Sequence, residues 1–134
     1  MSFQISFDNF VNYDLSEEGI GLDVEIEFGK AKVNFHAKID TGATYSIFEN
    51  QYATELDLNL EEGMRQKFGT ATGSFYAYGF RVNLKTADLE FDSMVFFAED
   101  ESFNKNVLGR IGWLDKIVLG LVDYEGKLYL SHYS

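Results

Sequence analysis

The sequence predicts an all-β fold, mainly antiparallel, with one or two short helices. Several segments alternate apolar and polar residues with the period of two that half-buried strands show. Phenylalanine and tyrosine, which favour strands, number 13 and 8, and with no proline the turns fall to Gly, Asn and Asp. The 134 residues suffice for one hydrophobic core, so we predict a single domain over residues 1–134, a barrel or a folded-over sheet.

The N-terminal segment, residues 1–20, is predicted to form an arm that precedes the main sheet. Residues 3–13 mix alternation with an apolar cluster, which fits either a strand or an extended arm. Residues 16–21 have the composition of a turn. Two locations for the arm stay open, an interface between two copies and an exposed sheet edge that it would cover.

The clearest strands form a hairpin. In residues 22–29 the apolar side chains share one face and the acidic side chains the other, and residues 32–40 alternate again. A short Gly-Lys turn separates the two segments, which predicts a hairpin. His36 belongs to the polar face, and we predict no catalytic or metal-binding role for it, because His132 lies far away in the tail.

The rest of the chain predicts one helix and further hairpins. Residues 49–58 are the only convincing helical stretch. Residues 69–100 predict a glycine-containing hairpin and then two more strands around a turn at residues 86–88. Residues 106–130 predict a short helix or turn and a last hairpin, which reverses at Glu125-Gly126.

Charge and composition exclude several classes of function. A net charge of −11 would repel a phosphate backbone or an anionic membrane, so neither is expected as a partner. Without cysteine there is no disulfide framework, thiol nucleophile or cysteine-based metal site. The first residues lack the pattern of a signal peptide, and no apolar run is long enough to span a bilayer, so the predicted location is the cytoplasm.

One turn carries residues with chemical potential. The second strand of the first hairpin ends in Asp-Thr-Gly-Ala (40–43), a combination that alone could be an ordinary turn. Two downstream features favour a catalytic carboxylate. A hairpin with a glycine near its tip spans residues 70–80, and an apolar-apolar-Gly-Arg segment spans residues 107–110.

These three features, in this order and across residues 22–130, resemble the retropepsin-like aspartic proteases. The resemblance implies an acid-protease-like barrel that forms one retropepsin-like lobe. It also implies an aspartic endopeptidase that cleaves peptides in extended conformation.

The resemblance implies a role for each residue of the turn. Asp40 would be the catalytic carboxylate, and Thr41 would tie two active-site loops together across a dimer axis. Gly42 would permit close approach of the backbone, and Ala43 would keep the loop compact.

The resemblance also implies roles for residues of the 107–110 segment and of the 70–80 hairpin. Leu108 and Gly109 would pack behind the loop. Arg110 would lie near a dimer contact, with a surface salt bridge as the equally weighted alternative. The hairpin would be a flap that closes over substrate, with Thr72, Gly73 and Ser74 near its tip and Tyr76 or Tyr78 lining the cleft; ordinary strand aromatics are the alternative for these tyrosines. Three residues outside these motifs have structural predictions: Trp113 is predicted to anchor the core, Asp115 to cap a helix or turn, and Asp123 to lie in a hairpin.

This chemistry needs two carboxylates, and the chain contains a single Asp-Thr-Gly. The second Asp40 must therefore come from another copy, which a two-fold homodimer supplies because residues on the axis meet their equivalents. The carboxylate pair activates water, so the resemblance implies neither a metal nor an organic cofactor.

Two departures from the family pattern stand out. Ile111-Gly112 follows the Gly-Arg where a polar or acidic residue is typical, which weakens the expected C-terminal helix. The flap has one tip glycine, where retroviral flaps are glycine-rich. The competing hypotheses are an inactive retropepsin-like module for dimerisation or peptide binding, and an acidic β-domain whose turn only resembles the motif.

Overall fold

The computed structural model describes residues 1–133 and consists mainly of strands. The strands and the one α-helix are β1 (Asn9–Asn12), β2 (Gly21–Phe28), β3 (Ala31–Ile39), β4 (Ile47–Phe48), α1 (Asn50–Glu55), β5 (Met64–Thr70), β6 (Gly73–Thr86), β7 (Leu89–Ala98), β8 (Val107–Leu108), β9 (Ile117–Val122) and β10 (Lys127–His132). Single 3₁₀ turns occupy Leu60–Glu62, Leu114–Lys116 and Asp123–Glu125.

The main sheet closes into a barrel. Its seven strands run in the order β2-β3-β8-β4-β7-β6-β5, and β2 also pairs with the C-terminal half of β6. Because β2 and β6 belong to opposite parts of this order, their pairing closes the sheet and leaves β5 attached to β6 alone. The prediction of a mainly antiparallel β barrel with short helices is confirmed.

The first hairpin shows why the alternating pattern predicts this fold. Leu22, Val24 and Ile26 of β2 are at most 2% exposed, and they form part of the barrel core. On the opposite face, Lys32 of β3 lies 3.6 Å from Glu25 and 3.3 Å from Glu27. The sequence therefore separates an apolar inner face from a charged outer face, as the period of two requires.

Strand β6 differs from the prediction of two separate strands between residues 73 and 86. It is one continuous strand of 14 residues, and Gly79 lies in its middle. A Cβ at Gly79 would lie 2.9 Å from the Phe96 side chain, so this glycine makes room for an aromatic ring and does not end the strand. The predicted turn at residues 86–88 is present, with Ala87 and Asp88 both at positive φ.

The N-terminal arm and the C-terminal hairpin form a second, three-stranded sheet in the order β1-β10-β9. Of the two predicted locations for the arm, the structure shows the covered sheet edge, since β1 pairs with β10 of the same chain. Tyr13 follows β1 and donates a hydrogen bond to Asp123 in the β9–β10 turn. Burial, and then this hydrogen bond, raise the pKa of Tyr13 to about 12.

Trp113 anchors the segment between the barrel and the second sheet. Its side chain is fully buried, and its indole N–H donates to the Thr86 hydroxyl at 2.9 Å. Asp115 accepts the backbone N–H of Gly112 at 3.0 Å, the capping role predicted for it. Gly112 has a φ of +96°. A single 3₁₀ turn follows it, so of the short helix or turn predicted for this segment the structure shows a turn. None of the helices within residues 1–133 is long and apolar enough to cross a membrane.

Candidate active site

Asp40 follows the last residue of β3 and begins a tight, hydrogen-bonded turn. Its backbone N–H donates to the Leu108 carbonyl at 2.9 Å, and its own carbonyl accepts the Ala43 N–H at 3.1 Å. The Gly42 N–H donates to Asp40 Oδ1 at 2.9 Å. The carboxylate is therefore fixed by the turn while its side chain is exposed to solvent.

The segment with Leu108, Gly109 and Arg110 lies directly behind this turn. Leu108 is fully buried, and the Arg110 N–H donates to the Ala43 carbonyl at 2.9 Å. A Cβ at Gly109 would lie 2.9 Å from that same carbonyl oxygen. Glycine is required here because the two backbones approach more closely than a side chain permits.

Ser46 fastens this packing from the other side. Its side chain is fully buried, and its hydroxyl accepts the Gly109 N–H at 3.0 Å. Sequence reasoning did not identify Ser46. The signal that could have found it is a serine directly before the buried pair Ile47-Phe48, because a buried hydroxyl needs a hydrogen-bond partner.

Thr41 and Arg110 both face solvent in the single chain. Within residues 1–133, Arg110 forms no ion pair, which gives no support to the surface salt bridge. A shallow depression of about 340 Å³ lies beside Arg110, and Thr44 and Ile111 contribute to its wall. The surface beside the Asp40 turn therefore exposes both polar and apolar side chains.

The predicted glycine-tipped hairpin is formed by β5 and β6. Thr70 pairs with Gly73, so the tip consists of Ala71 and Thr72. Thr72, Gly73 and Ser74 are all exposed there, and none of them lines the cavity that Asp40 borders.

A cavity of about 430 Å³ separates the hairpin from the Asp40 turn. Its apolar wall contains Phe68 and Phe75, whose rings stack with centroids 5.4 Å apart, and Phe103, 5.0 Å from Phe75. Tyr45 lines the cavity next to the turn. Asp40 therefore lies at the border of a cleft that has an aromatic wall.

The two tyrosines predicted to line this cleft lie elsewhere. Tyr76 and Tyr78 occupy the opposite face of the hairpin, because alternate residues of a strand point to opposite sides and Phe75 takes the inner position. The Arg65 guanidinium lies 3.6 Å from the centre of the Tyr76 ring, and Tyr78 donates to Glu99 at 3.0 Å. These tyrosines lie on the outer face of the hairpin, and the aromatic residues that line the cleft, Phe75 among them, were not identified from the sequence.

The charges of this outer face stabilise one another. Hydrogen bonds from Arg65 and Tyr78 lower the pKa of Glu99. Burial, followed by the hydrogen bond to Glu99, raises the pKa of Tyr78. Glu99 thus contacts Arg65 of β5 and Tyr78 of β6 on the face of the hairpin away from Asp40.

His36, the other ionisable residue considered from sequence, points to the polar face of β3. Its ring nitrogens lie 3.1 Å from Asp23 and 3.2 Å from Glu17. Within residues 1–133, no group of three or more His, Asp or Glu side chains is arranged to hold a metal ion.

Comparisons with known proteins agree with this architecture. A family model described as aspartyl protease matches residues 22–121. Among solved structures, the chain is similar to the EIAV protease in complex with the inhibitor HBY-793, with a TM-score of 0.56 and 19% sequence identity. That match covers 75% of this chain and 88% of the viral one, and at such low identity it shows a shared fold alone. No curated protein sequence matches the chain.

Proposed function

The chain belongs to the aspartyl protease family, and on that premise we propose that it is an aspartic endopeptidase whose site is completed by a second copy. The observation that carries the proposal is the position of Asp40. Its carboxylate sits on a rigid turn, exposed, at the edge of an aromatic cleft roofed by a hairpin. A rigid scaffold that presents an accessible acid beside a cleft is what hydrolysis of a bound peptide needs.

The proposed mechanism uses two Asp40 side chains, one from each subunit of a homodimer. Two carboxylates about 3 Å apart cannot both ionise comfortably, so they share one proton. The ionised member takes a proton from water as general base, and the protonated member polarises the carbonyl of the scissile bond. No metal or organic cofactor takes part in these steps.

Three features of the single chain support a dimer. The sequence contains one Asp-Thr-Gly, and the strands of residues 1–133 form one lobe. Thr41 is exposed beside Asp40, where its hydroxyl is free to bond the second loop. Arg110 and Ile111 are exposed on the surface beside that turn. In a two-fold dimer all of these residues would meet their own equivalents.

The substrate is proposed to bind in extended conformation. Strand β5 pairs with β6 on one side only, so its other edge offers unpaired backbone groups next to the cleft. An extended peptide can pair with such an edge through its main chain, while pockets receive alternate side chains. Phe68, Phe75 and Phe103 favour an apolar or aromatic side chain beside the scissile bond.

Mixing wild-type and Asp40→Asn subunits tests the shared site. At fixed total concentration and equal amounts, random pairing leaves about one quarter of the dimers with two Asp40 residues. Once the subunits have exchanged, we therefore expect about one quarter of the activity that wild-type protein shows at the same total concentration. An activity of about one half would mean that each chain acts alone. The dimer would also be contradicted if sedimentation showed only monomer at a concentration at which the protein is fully active.

We expect the hairpin tip to be the most mobile ordered segment of the protein without ligand. Residues 71–74 are exposed, and β5 is held by one neighbouring strand, so little packing opposes local opening. Hydrogen exchange read by mass spectrometry should show faster exchange in residues 70–80 than in residues 32–40. Equal protection of the two segments would argue against a flap that closes over substrate.

A further inference from the structure

A second cavity borders Asp40 on the side away from the aromatic wall. Its volume is about 460 Å³, and it shares Asp40, Lys105 and Val107 with the aromatic cavity. Lys38 also lines it. Apart from Asp40 itself, neither cavity is lined by a carboxylate, although the chain has 22 acidic residues and only 11 Lys and Arg.

Lys38 and Lys105 are positioned to face the same space. Lys38 lies near the end of β3, two residues before Asp40, and both residues line the second cavity. Lys105 precedes Val107 by two residues, and Val107 is the register partner of Lys38 in the β3–β8 pair. The two lysines therefore border the same cavity as Asp40, Lys38 from β3 and Lys105 from the segment that leads into β8.

Neither of these lysines forms an ion pair with a carboxylate of residues 1–133. This distinguishes them from Lys32, Arg65 and Arg81, which pair with glutamate or aspartate. His36, which also lines the second cavity, is already held by two carboxylates.

Lys67 also lines the aromatic cavity, and within residues 1–133 it forms no ion pair. It does not line the second cavity, and its register partner is Tyr76 on the outer face of the hairpin. Lys38 and Lys105 are therefore the two lysines that line the second cavity together with Asp40.

We propose that the peptide substrate carries a carboxylate that binds between Lys38 and Lys105, beside an apolar side chain held by the aromatic wall. This inference rests on the proposed function, since it names the substrate class of the same site. The protein as a whole is strongly negative and repels acidic peptides. Two unpaired lysines beside Asp40, in cavities that no other carboxylate lines, are the local feature that favours a negative group. The carboxylate could be a Glu or Asp side chain or the peptide's C-terminus.

Peptide binding to the Asp40→Asn protein, read by fluorescence anisotropy, separates this inference from catalysis. The probes are pairs of labelled peptides that share one aromatic residue and differ only by Glu or Gln beside it, each made with a free and with an amidated C-terminus. We expect the Glu peptide to bind about fivefold more tightly, and this preference to shrink at high salt. A preference that needs the free C-terminus and not the Glu identifies the terminal carboxylate as the ligand.

Three single variants provide the matched comparison. Lys38→Gln and Lys105→Gln should each remove most of the preference for the carboxylate. Lys30→Gln changes the net charge equally but lies in the turn at the far end of the first hairpin, so it should keep the preference. In the Asp40→Asn protein, affinity that changes neither between Glu and Gln nor between a free and an amidated C-terminus would overturn the inference, and so would an equal loss of the preference in all three variants.

The outcomes for the inference and for the proposed function are distinguishable. Cleavage by the wild type with no preference for a carboxylate would overturn the inference and leave the protease intact. Carboxylate-selective binding without any cleavage would support the inference and contradict the protease. A charge reversal, Lys38→Glu with Lys105→Glu, should then transfer the preference to Lys-containing peptides.

Discussion

Replacing Asp40 with asparagine should abolish peptide cleavage and leave the fold intact. Asparagine cannot act as a general base, and general acid–base catalysis contributes about 10² to 10⁴ in rate, so kcat should fall by at least that factor. The side-chain oxygen of asparagine still accepts the Gly42 N–H that now bonds Asp40 Oδ1, so the turn should persist. Stability should be unchanged or slightly higher, because a close carboxylate pair is removed.

A matched control is available in another turn. Asp88 lies between β6 and β7 at a φ of +65°, a conformation that asparagine tolerates, and it is remote from the cleft. Asp88→Asn should keep full activity. Cleavage that survives Asp40→Asn would defeat the assignment of Asp40.

Gly109→Ala should disable the site through its support and should also destabilise the protein. The added Cβ would lie 2.9 Å from the Ala43 carbonyl oxygen, and a backbone atom cannot move aside as a flexible side chain does. Overpacking of this kind costs about 1 to 3 kcal/mol. The displaced turn carries Asp40, and a shift of about 1 Å at a reacting group can reduce the rate roughly 10²-fold.

Thermal unfolding and cleavage assays together test this prediction. Gly69→Ala is the control for stability, because a Cβ there meets nothing within 4 Å and its φ is ordinary for any residue. The free energy of unfolding of Gly69→Ala should lie within about 0.5 kcal/mol of the wild-type value. If Gly109→Ala matched that control in stability and kept full activity, the close packing of the 107–110 segment behind the turn would not position Asp40.

The fold was predictable where its causes are local. Alternation along residues 22–40 identified the first hairpin, because a half-buried strand separates apolar from polar side chains at every second position. The closure of the barrel was not predictable in the same way. It depends on pairing of Glu25 with Lys85 and of its neighbours, residues 60 positions apart that no local pattern connects.

The candidate site divides along the same line. Asp40 and the 107–110 segment were named as candidates because their order along the chain resembles the family pattern, and the structure brings the two segments together. The cleft residues were assigned to the wrong face of the hairpin, since the register that joins Phe68 to Phe75 fixes which aromatics point inward. The family resemblance implied that Tyr76 or Tyr78 lines the cleft, with ordinary strand aromatics as the alternative. Their partners Arg65 and Glu99 became evident only from the structure.

The homodimer, the catalytic role of Asp40 and the cytoplasmic location stay predictions. An inactive module would bind peptides and dimerise in the same way, yet it would have no need for an intact Asp40-Thr41-Gly42. The third hypothesis, an acidic β-domain whose turn only resembles the motif, differs from the protease in the same way. It would require neither a dimer nor the close packing of Gly109.

The separation of the two Asp40 carboxylates in a crystal structure of the assembled protein tests the central claim most directly. The proposed site predicts a two-fold dimer in which these groups lie about 3 Å apart, close enough to share a proton and hold a water. Thr41 from each chain should then bond the opposite loop. An assembly that places the two Asp40 residues on separate surfaces, with the same assembly present in solution, would contradict the proposed mechanism.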